Sequence, residues 1–537
     1  MWELSDERFC VALNILLIKN GVFLQKPVLF FRFGIDKHAL RAYNMRVMTK
    51  GFLQEATMFD IAIIGGGVTG GAIARELAAF TIKTVVLEKE DDVCSGASKA
   101  NSGISHAGYD ALPGTRKAYF NVLGSKMMKK YCEDLGVKYI NNGSLVIAFN
   151  EEEKKTLEVL LERGKTNGVE GLSLIDGEQL HKIEPNVSKK AIAALQAKTG
   201  AIICPYDLTF ACIGNAMDNG VELKNNFFVT KIDKNGDFYT LTSAKGEKVD
   251  ARIIINCAGA GSGKIAELVG DKSVNIGLRK GEYLLLDRES GDFVSHTIFC
   301  TPTKKGKGIL VSNTAHGNIL LGPTAEEIPE EDKTTTDEGL AYVRSRASEM
   351  TENVPFYNTI TSFAGVRSYS VDRHDFIVEK SSVAENFINV AGIESPGLTS
   401  APAIAKYVVD IVAGMTELKA NPNFNGKREK AAAFSELDEK TQNELIKKNP
   451  AYGKLICRCE KVTEGEIVDA IHRNPPARSI DAIKRRTRAG MGRCQGGFCQ
   501  AKVAEIIARE LNIPLEKVTK NGEGSELLAG KTKDCEY

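Results

Sequence analysis

Charge of one sign and long apolar runs are missing from this chain, no secretory leader is expected, and each of these narrows what it can be. Seventy Lys and Arg against 69 Asp and Glu leave a formal charge of +1 over 537 residues. The electrostatics therefore single out neither nucleic acid nor an anionic membrane as the main partner, and a small substrate is expected. The longest apolar run of the first 57 residues, "FCVALNILLI" from Phe9, is about half of the ~20 residues that a bilayer span needs. The chain opens on Glu3, Asp6 and Glu7 instead of a basic region, and no small-residue cleavage site follows, which argues against secretion. Twelve cysteines are too few at this length for a disulfide scaffold. Eight of them stand singly (Cys10, Cys94, Cys132, Cys204, Cys212, Cys257, Cys300 and Cys535), as reduced thiols do in a cytoplasmic compartment. No internal repeat recurs.

What is present reads as a globular protein of two to four domains, with 43% apolar and 26% charged residues. Residues 1–57 form an N-terminal extension with no assignment. Within it, the basic, acid-poor stretch from Arg32 to Lys50 leaves organellar targeting open, and Met58, just before the first strand, can itself serve as a start. From Phe59, "FDIAIIGGGVTGGAIARELAAF" predicts a strand, a glycine turn and a helix whose apolar positions recur at helical spacing. Gly65, Gly67 and Gly70 fit G-x-G-x-x-G. The first makes the turn, the second admits a pyrophosphate, and the third lets helix and strand pack closely. A second strand, "TVVLEKE", ends on Glu88, 18 residues beyond Gly70, where an acid accepts hydrogen bonds from ribose hydroxyls. FAD or NAD satisfies this unit. Further on, "EVLLERGKTNG" reads as helix, residues 221–259 as a meander of strands, and "KGKGILVSNTAHGNILLGPT" as a long hairpin. The Asn- and Lys-rich "KANPNFNGKREK" from Lys419 reads as a linker leading into a charged helix.

The small, polar "SGASKANSGISHAGYDALPGTRKAYF" from Ser95 favours FAD, because flavoproteins thread such chain past the isoalloxazine. With "RKGEYLLLD", "TKKGKGILVSNTAHGNILLGPT", "FAGVRSYS", "RHDFIVE" and "NVAGIESPGLTSAPAIA" following in order, the chain from residue 58 onward resembles the FAD-dependent oxidoreductases of the D-amino-acid oxidase superfamily. The likeness is greatest to the L-2-hydroxyglutarate and glycerol-3-phosphate dehydrogenases. It implies an α/β fold, with a Rossmann-like FAD-binding domain interleaved with a mixed-sheet substrate domain over 58–420. It further implies cofactor contacts from Gly65, Gly67, Gly70, Glu88, Ser102, His106, Gly259, Gly392, Gly397, Leu398 and Thr399. The last motif also reads physically as a strand, a glycine turn and a helix, and that helix N-terminus would stabilise the charge that reduction builds on a flavin.

Flavin oxidation of an alcohol needs a base for the hydroxyl proton and, for an anionic substrate, a cation. Arg367 matches the Gly-x-Arg position that holds the anionic group in similar enzymes, with Arg373 as an assistant. His106 and His374 are the candidate bases. Tyr283 stands where quinone-linked glycerol-3-phosphate dehydrogenases tend to carry a histidine, which favours a hydroxyglutarate-like pocket.

Near the end, "CRCE" and "GMGRCQGGFC" put Cys457, Cys459, Cys494 and Cys499 into two tight pairs. Four thiolates suit zinc or a [2Fe–2S] cluster, and the spacing resembles the bacterioferritin-associated-ferredoxin-like module. That resemblance implies a small helical [2Fe–2S] domain over 451–510, after a helical linker at 421–450 and before a tail at 511–537. Lys484, Arg485, Arg486, Arg488 and Arg493 would offset the cluster's charge. The favoured expectation is a dehydrogenase of sn-glycerol 3-phosphate that sends electrons through the cluster to a partner protein or quinone. L-2-hydroxyglutarate or an amine as substrate, or a redox adaptor with no substrate of its own, are the alternatives.

Overall fold

The computed structural model describes residues 58–302, 308–431 and 433–530. The expectations for residues 1–57, for Cys10 and Cys535, and for the last residues of the tail lie outside them.

The dinucleotide-type sheet has eight strands. Its centre is Met58–Ile64, an apolar run with parallel neighbours on both sides, Lys248–Asn256 and Thr84–Leu87. Parallel strands covered on both faces need such continuous apolar sequence. Glu222–Lys224 extends the sheet in parallel beyond Thr84–Leu87, and Phe387–Ala391 pairs in parallel with Lys248–Asn256. The expected meander is the antiparallel series Val229–Asn235, Phe238–Ser243 and Lys248–Asn256. The helices Val68–Leu77, Arg116–Leu135, Pro205–Asp218 and Gly397–Ala413 bury Ile61, Ile63, Ile73, Leu77, Met128 and Ile404 in the largest core.

A second sheet has nine strands. Ile276–Leu286 and Thr359–Ser370 pair antiparallel along nearly their whole length, which sets Arg279 opposite Arg367 and Tyr283 opposite Phe363. The predicted hairpin is Leu310–Asn313 with Ile319–Gly322.

The cysteine module folds around Ile467, Ile471, Ile483, Val503 and Ile507, with helices Glu464–His472, Ile480–Thr487 and Gln500–Leu511. It is fastened to the domain of the eight-stranded sheet by a buried cluster. Asp92 accepts from Arg485 Nη2 at 2.7 Å and from Arg486 Nη1 and Nη2 at 2.8 and 2.7 Å, and the Arg486 guanidinium lies 4.0 Å over the Phe210 ring. Burial pushes the Asp92 carboxyl up, but the Arg486 and Arg485 charges outweigh it and hold it below the ordinary value. These two arginines, expected to offset cluster charge, instead serve domain docking. Arg488 and Arg493 also have carboxylate partners, Glu460 and Glu289.

The segment read as a linker is laced to the surface over its first half. Lys419 O accepts from Thr81 N at 2.8 Å, Gly426 O from Arg75 Nη2 at 2.8 Å, and Asn425 O from Asn215 Nδ2 at 2.8 Å. Arg428 donates to Asp218 Oδ2 at 3.1 Å. Its polar composition supplies hydrogen bonds to the neighbouring helices, so it is a strap, and the charged helix Glu439–Lys448 follows it. Among the described residues no helix is long and apolar enough to cross a membrane.

Candidate functional site

A cavity of about 1260 Å³ lies between the two sheets and is lined by Gly65, Gly67, Glu88, Ser102, His106, Gly259, Tyr283, Arg367, Gly397 and Leu398. That volume exceeds the ~300–1,000 Å³ of most small-ligand pockets and suits a dinucleotide together with a substrate. Two helix N-termini open on it, at Val68 and at Gly397, each placing a partial positive charge where an anion is held.

The glycines divide by task. Gly65 has φ +113°, and a Cβ there would lie 2.4 Å from Cys257 O; one on Gly70 would lie 2.1 Å from Gly65 O. Both positions are closed by the protein's own backbone. A Cβ on Gly67 meets only Ser98 Oγ, at 3.1 Å, so this position is left clear for whatever enters the cavity. Glu88 is buried, with Oε2 accepting from Gly66 N at 2.7 Å and Oε1 from Glu90 N at 3.0 Å. Burial raises its pKa against the lowering effect of those N–H groups. An acid fixed beside the glycine turn, with the open cradle at Gly67, fits the adenosine and pyrophosphate of FAD.

Toward the substrate end, Arg367 donates Nη2 to Thr324 O at 3.1 Å, and among the described residues no carboxylate is paired with it. Tyr283 is buried, stacked on Phe363 at 4.8 Å, and its hydroxyl is 3.3 Å from Ser102 Oγ. Burial raises the phenol's pKa, opposed by the Arg367 charge and the Ser102 bond, so it is protonated at neutral pH. His106 has Nε2 3.4 Å from Ser395 Oγ and its ring 5.9 Å from that of Phe299. Thr399 is buried behind the wall, where its Oγ1 accepts from His106 N at 2.9 Å; it thereby fixes the His106 backbone without lining the cavity. Gly392, at φ +64° beside Ser370, is likewise in the turn behind the wall.

His374 and Arg373 are not brought to this site. Both are exposed in the turn after Thr359–Ser370 and are absent from the cavity lining. Arg373 pairs with Glu379 at 2.7 Å, and His374, at φ +52°, contributes its carbonyl to Lys117 Nζ at 2.8 Å. The strand ends at Ser370, so the alternation that aims Arg367 inward stops before either residue. Sequence reasoning missed Ser98, Thr324, Ser395 and the lining lysines Lys264, Lys272 and Lys333, which carry no local signature.

The four cysteines converge as expected. Cys459 Sγ is 3.8 Å from Cys494 Sγ. Cys457 is held down to about 6 by a hydrogen bond with Cys499, burial opposing it, with the N–H groups of Gly490 and Glu460 helping. Burial resists ionisation of Cys494, yet the N–H groups of Phe498 and Gly496 hold that thiol below its ordinary value. A Cβ on Gly492 would sit 2.4 Å from Cys459 Cβ. Convergent sulfurs that accept backbone N–H groups fit a thiolate-ligated cluster. Cys457 and Cys499 are buried, Cys494 is half-buried and Cys459 is exposed.

Comparison with known proteins agrees with both sites. Residues 60–411 match the FAD dependent oxidoreductase family, and residues 455–509 match the BFD-like [2Fe-2S] binding domain. The chain is 47% identical over 480 residues to the glycerol 3-phosphate dehydrogenase of Caloramator mitchellensis, covering 89% of this chain and 99% of that protein. It is 29% identical to the mitochondrial L-2-hydroxyglutarate dehydrogenase of Pongo abelii, over 67% of this chain and 88% of that one. The dithionite-reduced L-alpha-glycerophosphate oxidase of Mycoplasma pneumoniae with FAD bound superposes with a TM-score of 0.67 at 30% identity, covering 69% of this chain and 98% of that one. This chain belongs to the FAD-dependent oxidoreductase family, with a BFD-like iron–sulfur domain at its C-terminal end, and its cofactors are FAD and a [2Fe–2S] cluster.

Proposed function

We propose that the protein is an FAD-dependent dehydrogenase that oxidises sn-glycerol 3-phosphate to dihydroxyacetone phosphate and passes the electrons through the cluster to a partner protein or quinone. The observation that carries this reading is the extent of the glycerol 3-phosphate dehydrogenase likeness. It covers 89% of the chain, more than the oxidoreductase domain alone can supply.

FAD, held by the Gly67 cradle and Glu88, would supply the hydride acceptor for the alcohol carbon. Arg367 holds the phosphate with the guanidinium N–H groups not given to Thr324, a fork of donors suited to an oxyanion. His106 takes the hydroxyl proton as the carbon–oxygen bond becomes a carbonyl, with Ser395 beside its Nε2 and Thr399 fixing its backbone. Tyr283, protonated and braced by Phe363 and Ser102, donates to a substrate oxygen. The positive end of the Gly397–Ala413 helix favours negative charge in the cavity. Exposure of Cys459 supports an exit for electrons at the surface, and the six buried cysteines outside the cluster set among the described residues, all free of disulfides, support a reducing compartment such as the cytoplasm.

Tyr283 in place of a histidine favours L-2-hydroxyglutarate as a second reading. Anaerobic mixing with each compound separates the two. Glycerol 3-phosphate is expected to bleach the flavin fastest. Bleaching by L-2-hydroxyglutarate alone would transfer the assignment to the second reading, and bleaching by neither, nor by an amine such as proline, would leave a redox adaptor.

A further inference from the structure

Away from the flavin cavity and the cluster cysteines, three potential ligands meet where the two sheets and the C-terminal module adjoin. Cys204 follows the strand Ala201–Ile203 and caps the helix Pro205–Asp218; Asp207 stands in that helix's first turn. His316 comes from the nine-stranded sheet, in the turn Thr314–Gly317 of the Leu310–Gly322 hairpin, closed by Thr314 N to Asn318 O at 2.8 Å. The ligand atoms of the three all lie within 4.8 Å of one another, and His316 Nε2 is 3.4 Å from Asp207 Oδ2. From these positions we propose that Cys204, Asp207 and His316 form a binding site for a divalent d-block metal ion such as zinc, which clips the substrate-side hairpin to the flavin-side helix.

The chemistry of the donors is specific. One thiolate, one imidazole and one carboxylate form a set that zinc accepts, leaving a fourth tetrahedral position. That position has somewhere to open: Cys204 and His316 both line a separate cavity of about 320 Å³, together with Met491 and Gln495 of the cluster module. Water can enter there as the fourth ligand. The charges also close. Ionised Cys204 and Asp207 together neutralise a dication, so the filled site buries no net charge. Binding exchanges one proton for the metal: the Cys204 S–H bond breaks, an S–metal bond forms, and the proton leaves to solvent. No oxidant or reductant is involved.

Local geometry prepares the sulfur. Cys204 Sγ accepts from the backbone N–H groups of Asp207 and Tyr206 at the helix N-terminus, which orients its lone pairs. Arg488 is the nearby cation that would oppose a metal, but it is engaged by Glu460 at 2.7 Å and by Asn318 Oδ1 at 2.9 Å. Glu436 adds an acidic charge close to His316. The clip would act on the flavin side as well, because Ile203 N donates to Gly103 O at 2.8 Å and Gly103 lines both cavities.

The test uses the holoenzyme with FAD and cluster assembled, so that the four cluster thiolates are occupied. After incubation with Zn²⁺ and passage over a chelating resin, about one zinc per chain is expected to stay on the wild type. Its X-ray absorption should show one sulfur at about 2.3 Å with nitrogen and oxygen at about 2.0–2.1 Å. Cys204→Ser and His316→Gln should each lose the zinc while keeping wild-type flavin and iron contents. The histidine stands in a surface turn, so its variant decides the matter if the buried serine variant does not fold. Wild type holding no more zinc than His316→Gln, or a shell of four sulfurs, would overturn the proposal.

Discussion

At the residue scale, Gly67 and Gly70 look alike in the motif but differ in what surrounds them. A Cβ on Gly70 strikes backbone, whereas one on Gly67 meets a single hydroxyl. Gly67→Val should therefore leave the protein folded, with about two irons per chain, yet purify without yellow flavin colour. Flavin and iron content of the same sample check this, and stoichiometric FAD in the variant would refute the placement. Arg367 gives the second prediction. Its loss removes charge-assisted hydrogen bonds worth about 1.5–3 kcal/mol each, so Arg367→Ala should raise the apparent Kd for glycerol 3-phosphate roughly ten- to a hundredfold per bond, read from the concentration dependence of flavin bleaching. An unchanged Kd would remove Arg367 from the substrate. Both residues stood out in the sequence because their signals are short: glycine spacing after a strand, and a Gly-x-Arg motif shared with similar enzymes. His374 lies only seven residues beyond Arg367, but past the strand's end, where period-two aim no longer holds. Ser98 and Thr324 reach the site through tertiary contacts that no local pattern encodes.

At the element scale, strand and helix types followed from periodicity, and the meander and hairpin lie where alternation and turn glycines put them. Composition misled over 419–430, since asparagines and an arginine that suggest free chain are partners for exposed helix ends and carbonyls. Nor could sequence show that Arg485 and Arg486 face Asp92, nearly four hundred residues away. That cluster makes a sharp prediction. Both guanidiniums are largely buried, with side-chain exposures of 8% and 9%, and removing the partner of a buried charge costs about 3–5 kcal/mol. Asp92→Asn should loosen the cluster module, seen as faster amide exchange over Ile480–Thr487 with the flavin-side sheet unchanged. The sign in pH follows from the depressed Asp92 pKa: the stabilisation is fully present above the unfolded value of 3.8 and is lost as pH falls through the lower folded value. Wild type and variant should thus differ at neutral pH and converge only in acid. Equal exchange rates at pH 7 would show that the pair contributes nothing to docking.

At the scale of the whole molecule, two redox cofactors share one chain, and the second is held against the body that binds the first. The fold and both cofactors were readable from sequence, because each depends on a compact motif; the seam between the modules was not, because it is built from residues distant in sequence. The seam matters because oxidation of an alcohol releases two electrons, whereas a [2Fe–2S] cluster carries one at a time. If electrons pass from flavin to cluster, anaerobic glycerol 3-phosphate should bleach the flavin and then produce the electron paramagnetic resonance signal of a reduced [2Fe–2S] centre, at about one spin per chain. Cys494→Ser, which removes a proposed ligand, half-buried beside the exposed Cys459, should still bleach with the same substrate but give no cluster signal and no electron delivery to an external one-electron dye at the wild-type rate. Flavin content guards against a folding defect in that variant. Bleaching in the wild type without any cluster signal would mean that the two centres are not in electronic contact, and the acceptor would then have to meet the flavin directly.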